Sequence, residues 1–169
     1  MEPLSVAWHA VSASPLQPGD NVLVLGGGPI GLAVVQCLKA RKAGMVIMSE
    51  VAPARQRFAK EFGADHVFDP RKEDMVAKCR ELCGGEQGAD VVFDCAGVPA
   101  SLETACKAVK SRGTVVNVAI WEKEVLFNPN MLVFKEGKYL AVLGYQKKDF
   151  EYVIEALRTG QLGYAQGKI

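Results

Sequence analysis

Histidine is almost missing from this 169-residue chain: only His9 and His66 are present. With no cysteine cluster near either, no closed or open zinc centre can be assembled from its residues. The five cysteines, Cys37, Cys79, Cys83, Cys95 and Cys106, are odd in number and scattered through core-like segments, which argues against a disulfide framework. They read as reduced, buried thiols. Cys79 and Cys83 share a helix face at i, i+4, but no partner cysteine or histidine lies nearby, so packing is preferred to metal binding there. His9, set in a helical pattern among apolar residues, is likewise read as packed rather than as a ligand. Charge of either sign is not in excess: 20 Lys and Arg against 19 Asp and Glu leave a net charge of +1, which supports neither a nucleic-acid surface nor an acidic partner. Linkers, low-complexity tracts and secretory or transit signals are not found, and a cytoplasmic location is the expectation. The nearly charge-free run Val22–Leu38 is interrupted by three consecutive glycines and a proline and is shorter than the ~18–20 residues of a membrane span, so a membrane role is not expected.

What is present is a globular composition, 49% hydrophobic and 23% charged, sufficient for one domain with a real core. The informative stretch is Asn21–Glu50. Val22–Leu25 is short, apolar and β-branched, as a buried parallel strand is. Gly26, Gly28 and Gly31 follow with the spacing G-x-G-x-x-G, then a helical segment over Leu32–Arg41, a second strand over Met45–Met48, and the acidic Glu50. Gly26 allows a sharp turn out of the strand, Gly28 a close backbone approach to a pyrophosphate, and Gly31 tight packing of the helix. The helix N-terminus offers N–H groups and a positive dipole end to phosphates. Glu50 stands at the spacing from which a carboxylate takes ribose hydroxyls, and its charge would repel a 2′-phosphate. The cofactor expected is therefore NAD rather than NADP.

Before this stretch, Leu4, Ala7, Trp8 and Val11 predict a short helix beginning near Pro3. After it, helices are predicted over Ala52–Phe62, Glu73–Leu82, Pro99–Val109 and Phe150–Arg158, and strands over His66–Phe68, Asp90–Cys95, Thr114–Val118 and Tyr139–Leu143. A brief strand around Val125 and a helical turn near Pro129 are also expected. This alternation implies an α/β fold, a doubly wound six-stranded parallel sheet of the Rossmann type in a single domain. Residues 1–20 form a lead-in helix and loop, 21–160 the nucleotide-binding domain and 161–169 a tail. A dinucleotide would run along the carboxyl ends of the strands.

With those residues placed, the chain resembles the coenzyme domain of zinc-dependent medium-chain alcohol and polyol dehydrogenases, and among them butanediol and sorbitol dehydrogenases. The motifs carrying the resemblance are EPLSVAWHA at Glu2–Ala10, PGDNVLVLGGGPIGL at Pro18–Leu32, VFDCAGV at Val92–Val98, RGTVVNVAIW at Arg112–Trp121 and NPNMLVFKE at Asn128–Glu136. The resemblance implies that Pro29 and Ile30 sit over the pyrophosphate and nicotinamide edge. It places Glu50 on the adenosine ribose with Arg55 nearby, although Arg55 also fits a solvated surface charge. Cys95, Ala96, Gly97 and Val98 would wall the cleft, and main-chain groups of Val118, Ile120 and Leu143 would hold the nicotinamide carboxamide. Val118 and Leu143 are expected in the core in either case. Glu2 matches a carboxylate at or beside the catalytic zinc of relatives, and is the one possible metal-proximal residue.

Members of that family carry an upstream catalytic domain with a Cys-His-Glu zinc site and a four-cysteine zinc lobe, neither of which is found here. The expectation is a coenzyme-binding fragment with no catalytic residue of its own, inactive alone, whose zinc belongs to the whole enzyme. That enzyme would move hydride between NAD and a secondary alcohol or diol. The edge strand 139–143 would form a homodimer, as in the family. A non-catalytic nucleotide-binding module is the alternative, and a methyltransferase a remote third.

Overall fold

The computed structural model describes residues 1–85 and 87–163 of the chain. A lead-in helix α1 (Glu2–Ala13) precedes β1 (Asn21–Leu25), α2 (Pro29–Ala40), β2 (Met45–Ser49), α3 (Pro53–Glu61), β3 (His66–Phe68) and α4 (Met75–Leu82). Then follow β4 (Ala89–Asp94), α5 (Pro99–Ala108), β5 (Val109–Asn117), α6 (Asn130–Val133), β6 (Lys138–Ala141) and α7 (Lys147–Arg158). The strands form one six-stranded sheet in the order β3-β2-β1-β4-β5-β6, with every pairing parallel. The order reverses between β1 and β4, which is the switch point where such sheets open a crevice.

Side-chain alternation divides the strands between two cores. Val22 and Val24 of β1, Val46 and Met48 of β2, and Phe93 of β4 pack with α1, α2 and α7. Leu23 and Leu25, Ile47, Val92 and Val115 face α4 and α5 on the other side. Both faces are covered, which is why these strands read as continuous apolar runs rather than alternating ones. Helix starts follow local chemistry: Pro stands in the first turn of α1, α2, α3 and α5, where the missing N–H costs nothing. Asp74 caps α4 by accepting from the Val76 and Ala77 N–H groups.

Several boundaries differ from the sequence expectation. Helix α7 begins at Lys147 rather than Phe150, because Asp149 folds back to accept the Gln146 N–H at 2.8 Å. Strand β5 starts at Val109, and its pairing with β4 jumps from Ala89–Val109 to Val91–Thr114. Arg112, at φ 61°, and Gly113 absorb the jog, leaving Thr114–Asn117 as the regular ladder. Strand β6 ends at Ala141, and Val125 lies in irregular chain rather than a strand. The segment around Val125 has no neighbouring strand to pair with, since β6 already occupies the edge beside β5. The end of the tail expected at 161–169, from residue 164 on, lies outside the described residues. The five cysteines are free thiols, and burial pushes Cys37 up to about 12.

His9 is neither an apolar-packed ring nor part of a metal cluster. Its Nδ1 lies 2.8 Å from the Asp149 carboxylate, which is buried between α1 and α7. Trp8 stacks on Tyr152 across the same interface. One carboxylate therefore both caps α7 and ties it to α1. Asp149→Ala removes the cap and leaves the His9 ring without its partner, each worth about 1 kcal/mol. The expected loss is about 2 kcal/mol, or a fall of about 4–8 °C in the thermal midpoint. Calorimetric melting checks this, and a midpoint unchanged within ~1 °C contradicts the assignment.

Candidate functional site

The loops at the carboxyl edge of the sheet are held level by a staircase of main-chain bonds. Past the end of each strand, an N–H donates to the last carbonyl of the neighbouring strand: Gly26 to Ser49 at 2.9 Å, Glu50 to Phe68 at 3.0 Å, and Cys95 to Leu25 at 2.9 Å. Val118 to Asp94 at 2.9 Å and Val142 to Asn117 at 3.1 Å continue it. The parallel ladder thus runs one residue into the loops and sets their starting height.

The glycine turn occupies the centre of this edge. Gly26 has φ +92°, a conformation that L side chains rarely adopt, and a Cβ there would lie 3.0 Å from that of Ala96. At Gly31 an added Cβ would sit 1.8 Å from the Gly26 carbonyl oxygen, so helix α2 packs directly onto the turn that precedes it. Gly28 is different. Its backbone is extended, at φ −68° and ψ −178°, and nothing lies within 4 Å of the place its Cβ would fill. The protein therefore does not need glycine there for its own packing. The open space lies beside the start of α2, where the first intrahelical bond is from Leu32 N–H to Gly28 O, so the Ile30 and Gly31 amides precede it. That is an anion cradle with room for backbone-close approach.

Glu50 is buried at 4% exposure, and its carboxylate is organised by main-chain donors. Gly27 N–H donates to Oε2 at 2.6 Å, and Ala52 N–H to Oε1 at 2.7 Å. A Cβ on Gly27 would fall 2.9 Å from Oε2, so the middle glycine of the turn makes room for this carboxylate. Sequence spacing did not single out Gly27, since it lies outside the G-x-G-x-x-G positions. Arg55 Nη1 stands 3.9 Å from Oε2 with its side chain 55% exposed, within reach of the carboxylate yet mostly solvated. A carboxylate can accept about four hydrogen bonds, so two sites remain for ligand hydroxyls.

Across the turn, Cys95–Val98 form the facing wall. Buried Asp94 shapes it: Oδ1 accepts from Ala96 N–H at 3.0 Å and Gly97 N–H at 3.2 Å, and Oδ2 from Ser101 Oγ at 3.1 Å. The signal for this Asx turn was an aspartate followed by small residues and Gly97, which adopts φ +64°. Burial, and then the Asp94 charge, push the Cys95 thiol up, so it meets the cleft as a neutral group. Further along the edge, Asn117 receives Trp121 Nε1–H at 2.9 Å and donates to Ala119 O at 2.9 Å, pinning the segment that carries Val118 and Ile120.

Two adjoining hollows follow the edge. One of about 600 Å³ is lined by Gly26, Gly28, Glu50, Arg55, Pro70, Arg71, Cys95, Ala96 and Val98. The other, about 450 Å³, is lined by Ala96, Gly97, Val98, Ile120 and Trp121. They share Ala96 and Val98 and together make a trough suited to an elongated ligand. Val118 is buried at 9%, but Leu143 is 78% exposed and not the core residue expected, because β6 has ended two residues earlier. Ile120 is 79% exposed. Glu2 is exposed at the start of α1. Among the described residues no three His, Cys, Asp or Glu side chains gather to hold a metal ion. Pro70 and Arg71, on the loop after β3, were not anticipated. A larger hollow of about 720 Å³ lies at the opposite end of the sheet, but its basic lining residues are paired within the chain: Lys135 donates to the Cys106, Lys107 and Val109 carbonyls, Lys110 pairs with Asp90 and Arg112 with Glu136.

Comparison with known proteins agrees with this geometry. Residues 29–159 match the family model described as zinc-binding dehydrogenase. The chain belongs to the zinc-binding dehydrogenase family. It is 38% identical over 165 residues to the (R,R)-butanediol dehydrogenase of Saccharomyces cerevisiae, covering 96% of this chain and 43% of that protein. The structure of 2R,3R-butanediol dehydrogenase from Bacillus subtilis superposes with a TM-score of 0.86 at 39% identity, over 96% of this chain and 45% of that one. A zinc-binding dehydrogenase structure from Sinorhizobium meliloti, bound to NADP, gives 0.88 at 30% identity, over 96% and 48%. The chain thus spans less than half the length of these relatives.

The glycines separate folding from binding. Gly31→Ala forces a Cβ into a carbonyl and is expected to destabilise by about 3 kcal/mol or more. Gly28→Ala meets nothing and is expected to stay within ~1 kcal/mol of the parent stability. It should nevertheless weaken dinucleotide binding at least ~10-fold, by closing the cradle. Melting and titration of the two variants give opposite profiles; Gly28→Ala binding like the parent contradicts the cradle.

Proposed function

We propose that this chain is the coenzyme-binding part of a zinc-dependent alcohol or polyol dehydrogenase, and that it holds NAD for the oxidation of a secondary alcohol or vicinal diol. The observation that carries the reading is the unfilled space at Gly28, beside the α2 N-terminus and in one trough with the buried Glu50. Phosphate oxygens would meet the Ile30 and Gly31 amides, and adenosine ribose hydroxyls the free acceptor sites of Glu50. The nicotinamide end would extend toward Val98, Val118 and Ile120. When bound, NAD supplies the ring carbon that takes up or returns hydride. The protein's part here is to orient that ring and to keep water from it with the Cys95–Val98 wall and the pinned Val118–Ile120 segment.

Zinc does not fit the described residues, which gather no ligand set. By this reading its ligands come from elsewhere in the whole enzyme, with Glu2 at most a neighbour. The Sinorhizobium meliloti relative is bound to NADP. The preference for NAD proposed here rests on Glu50, whose buried charge would face a 2′-phosphate. The edge position of β6, with Tyr139 44% exposed, and the 78% exposed Leu143 just past its end support pairing of two chains through this edge.

Calorimetric titration tests the cofactor reading: NAD should bind at least ~10-fold more tightly than NADP, and Glu50→Ala should weaken NAD and narrow the gap. Equal binding of both, or indifference to Glu50→Ala, contradicts it. Zinc-dependent alcohol oxidation by this chain alone would sink the division of labour. Sedimentation equilibrium should show a dimer; a mass of one chain at high concentration counts against the β6 edge.

A further inference from the structure

A dinucleotide lying across this sheet has a direction set by strand order. Its pyrophosphate is at the end of β1 and its ribose at Glu50, after β2, so the attached base must pass outward toward β3, the next strand in the sheet. The loop leaving β3 carries Asp69, Pro70 and Arg71, and Pro70 and Arg71 line the same hollow as Glu50.

Arg71 is held by a carboxylate and a main-chain carbonyl together. Its Nε donates to Asp69 Oδ1 at 2.9 Å and Nη2 to Oδ2 at 2.7 Å, a bidentate fork. Nη2 also donates to the Val51 carbonyl at 2.8 Å, tying the loop after β3 to the loop after β2. The side chain is nonetheless 62% exposed. These bonds fix the plane of the guanidinium and offset its charge, and the mostly exposed side chain lines the hollow. A flat, oriented cation is suited to a π-system. Val98, Ala100 and Thr104 line the same hollow, so a flat ring entering it would meet apolar surface as well as a planar cation.

We infer that Arg71 is a specificity-determining residue for the adenine base, stacking on the ring through its guanidinium face while Asp69 and Val51 hold the plane in place. This rests on the dinucleotide reading above. It assigns a division of labour between the two arginines of the hollow. Arg55 stands by the ribose carboxylate Glu50, whereas Arg71 reads the base and is indifferent to a 2′-phosphate.

The test is titration of the chain with ADP-ribose and with 2′-phospho-ADP-ribose, for the parent, Arg71→Ala, Arg71→Lys and Glu50→Ala, with melting of each variant to confirm folding. The expected result is a loss of about three- to tenfold for both ligands in Arg71→Ala, with little recovery in Arg71→Lys, since lysine keeps the charge but not the plane. A loss confined to the 2′-phosphorylated ligand, or full recovery by lysine, overturns stacking in favour of simple charge attraction. ADP-ribose weakened by Glu50→Ala but untouched by Arg71→Ala overturns the inference and leaves the dinucleotide reading standing. Failure of ADP-ribose to bind the parent removes both.

Discussion

A single buried carboxylate holds the site together. Glu50 directly follows β2, yet its side chain crosses to the turn after β1 and takes the Gly27 N–H at 2.6 Å, while its other oxygen takes Ala52 N–H at 2.7 Å. A carboxylate at 4% exposure is costly unless donors surround it, and here the donors are main-chain groups of the two loops it joins. The glycine turn, the start of α3 and the ribose position are therefore one unit. This explains why the middle glycine of the turn is required by the protein itself, whereas Gly28 is not: one makes room for a side chain already present, while the place a Cβ would fill at the other is open.

The same device recurs at each switch along the carboxyl edge. Asp94 bends the chain after β4 by accepting two main-chain N–H groups, and Asn117 fixes the segment after β5 with Ala119 and Trp121. Asp94 and Asn117 are satisfied within their own loops, and Glu50 by its own loop together with the turn after β1. The loops are thereby shaped without help from a ligand, and the apolar sheet below sets their height through the continued parallel ladder. Preorganisation of this kind lowers the ordering cost of binding.

Residues 29–159 match the zinc-binding dehydrogenase family, while among the described residues no three His, Cys, Asp or Glu side chains gather to hold a metal ion. The described residues bring together the open space at Gly28, a buried carboxylate beside it and a trough that continues to the exposed Ile120.

Much of this was legible in the chain itself. The six strands, their parallel pairing and the helices between them follow from short apolar runs separated by helical patterns, because burial on both faces leaves an unmistakable composition. Gly26, Gly31 and Glu50 were identifiable from spacing, because turn geometry and crossover length place them at fixed intervals. What spacing could not show were contacts between loops distant in sequence. Gly27 meets Glu50, Arg71 meets Val51 and His9 meets Asp149 only once the strand order has brought separate loops and helices side by side. Leu143 was misjudged for a related reason: apolarity predicts burial only where a partner surface exists, and β6 stops before it. Local sequence determined the elements and the turn, since these depend on backbone preference and periodicity. Tertiary structure alone decided which polar side chains would satisfy which backbone groups, because that depends on the register and order of strands far apart in the chain.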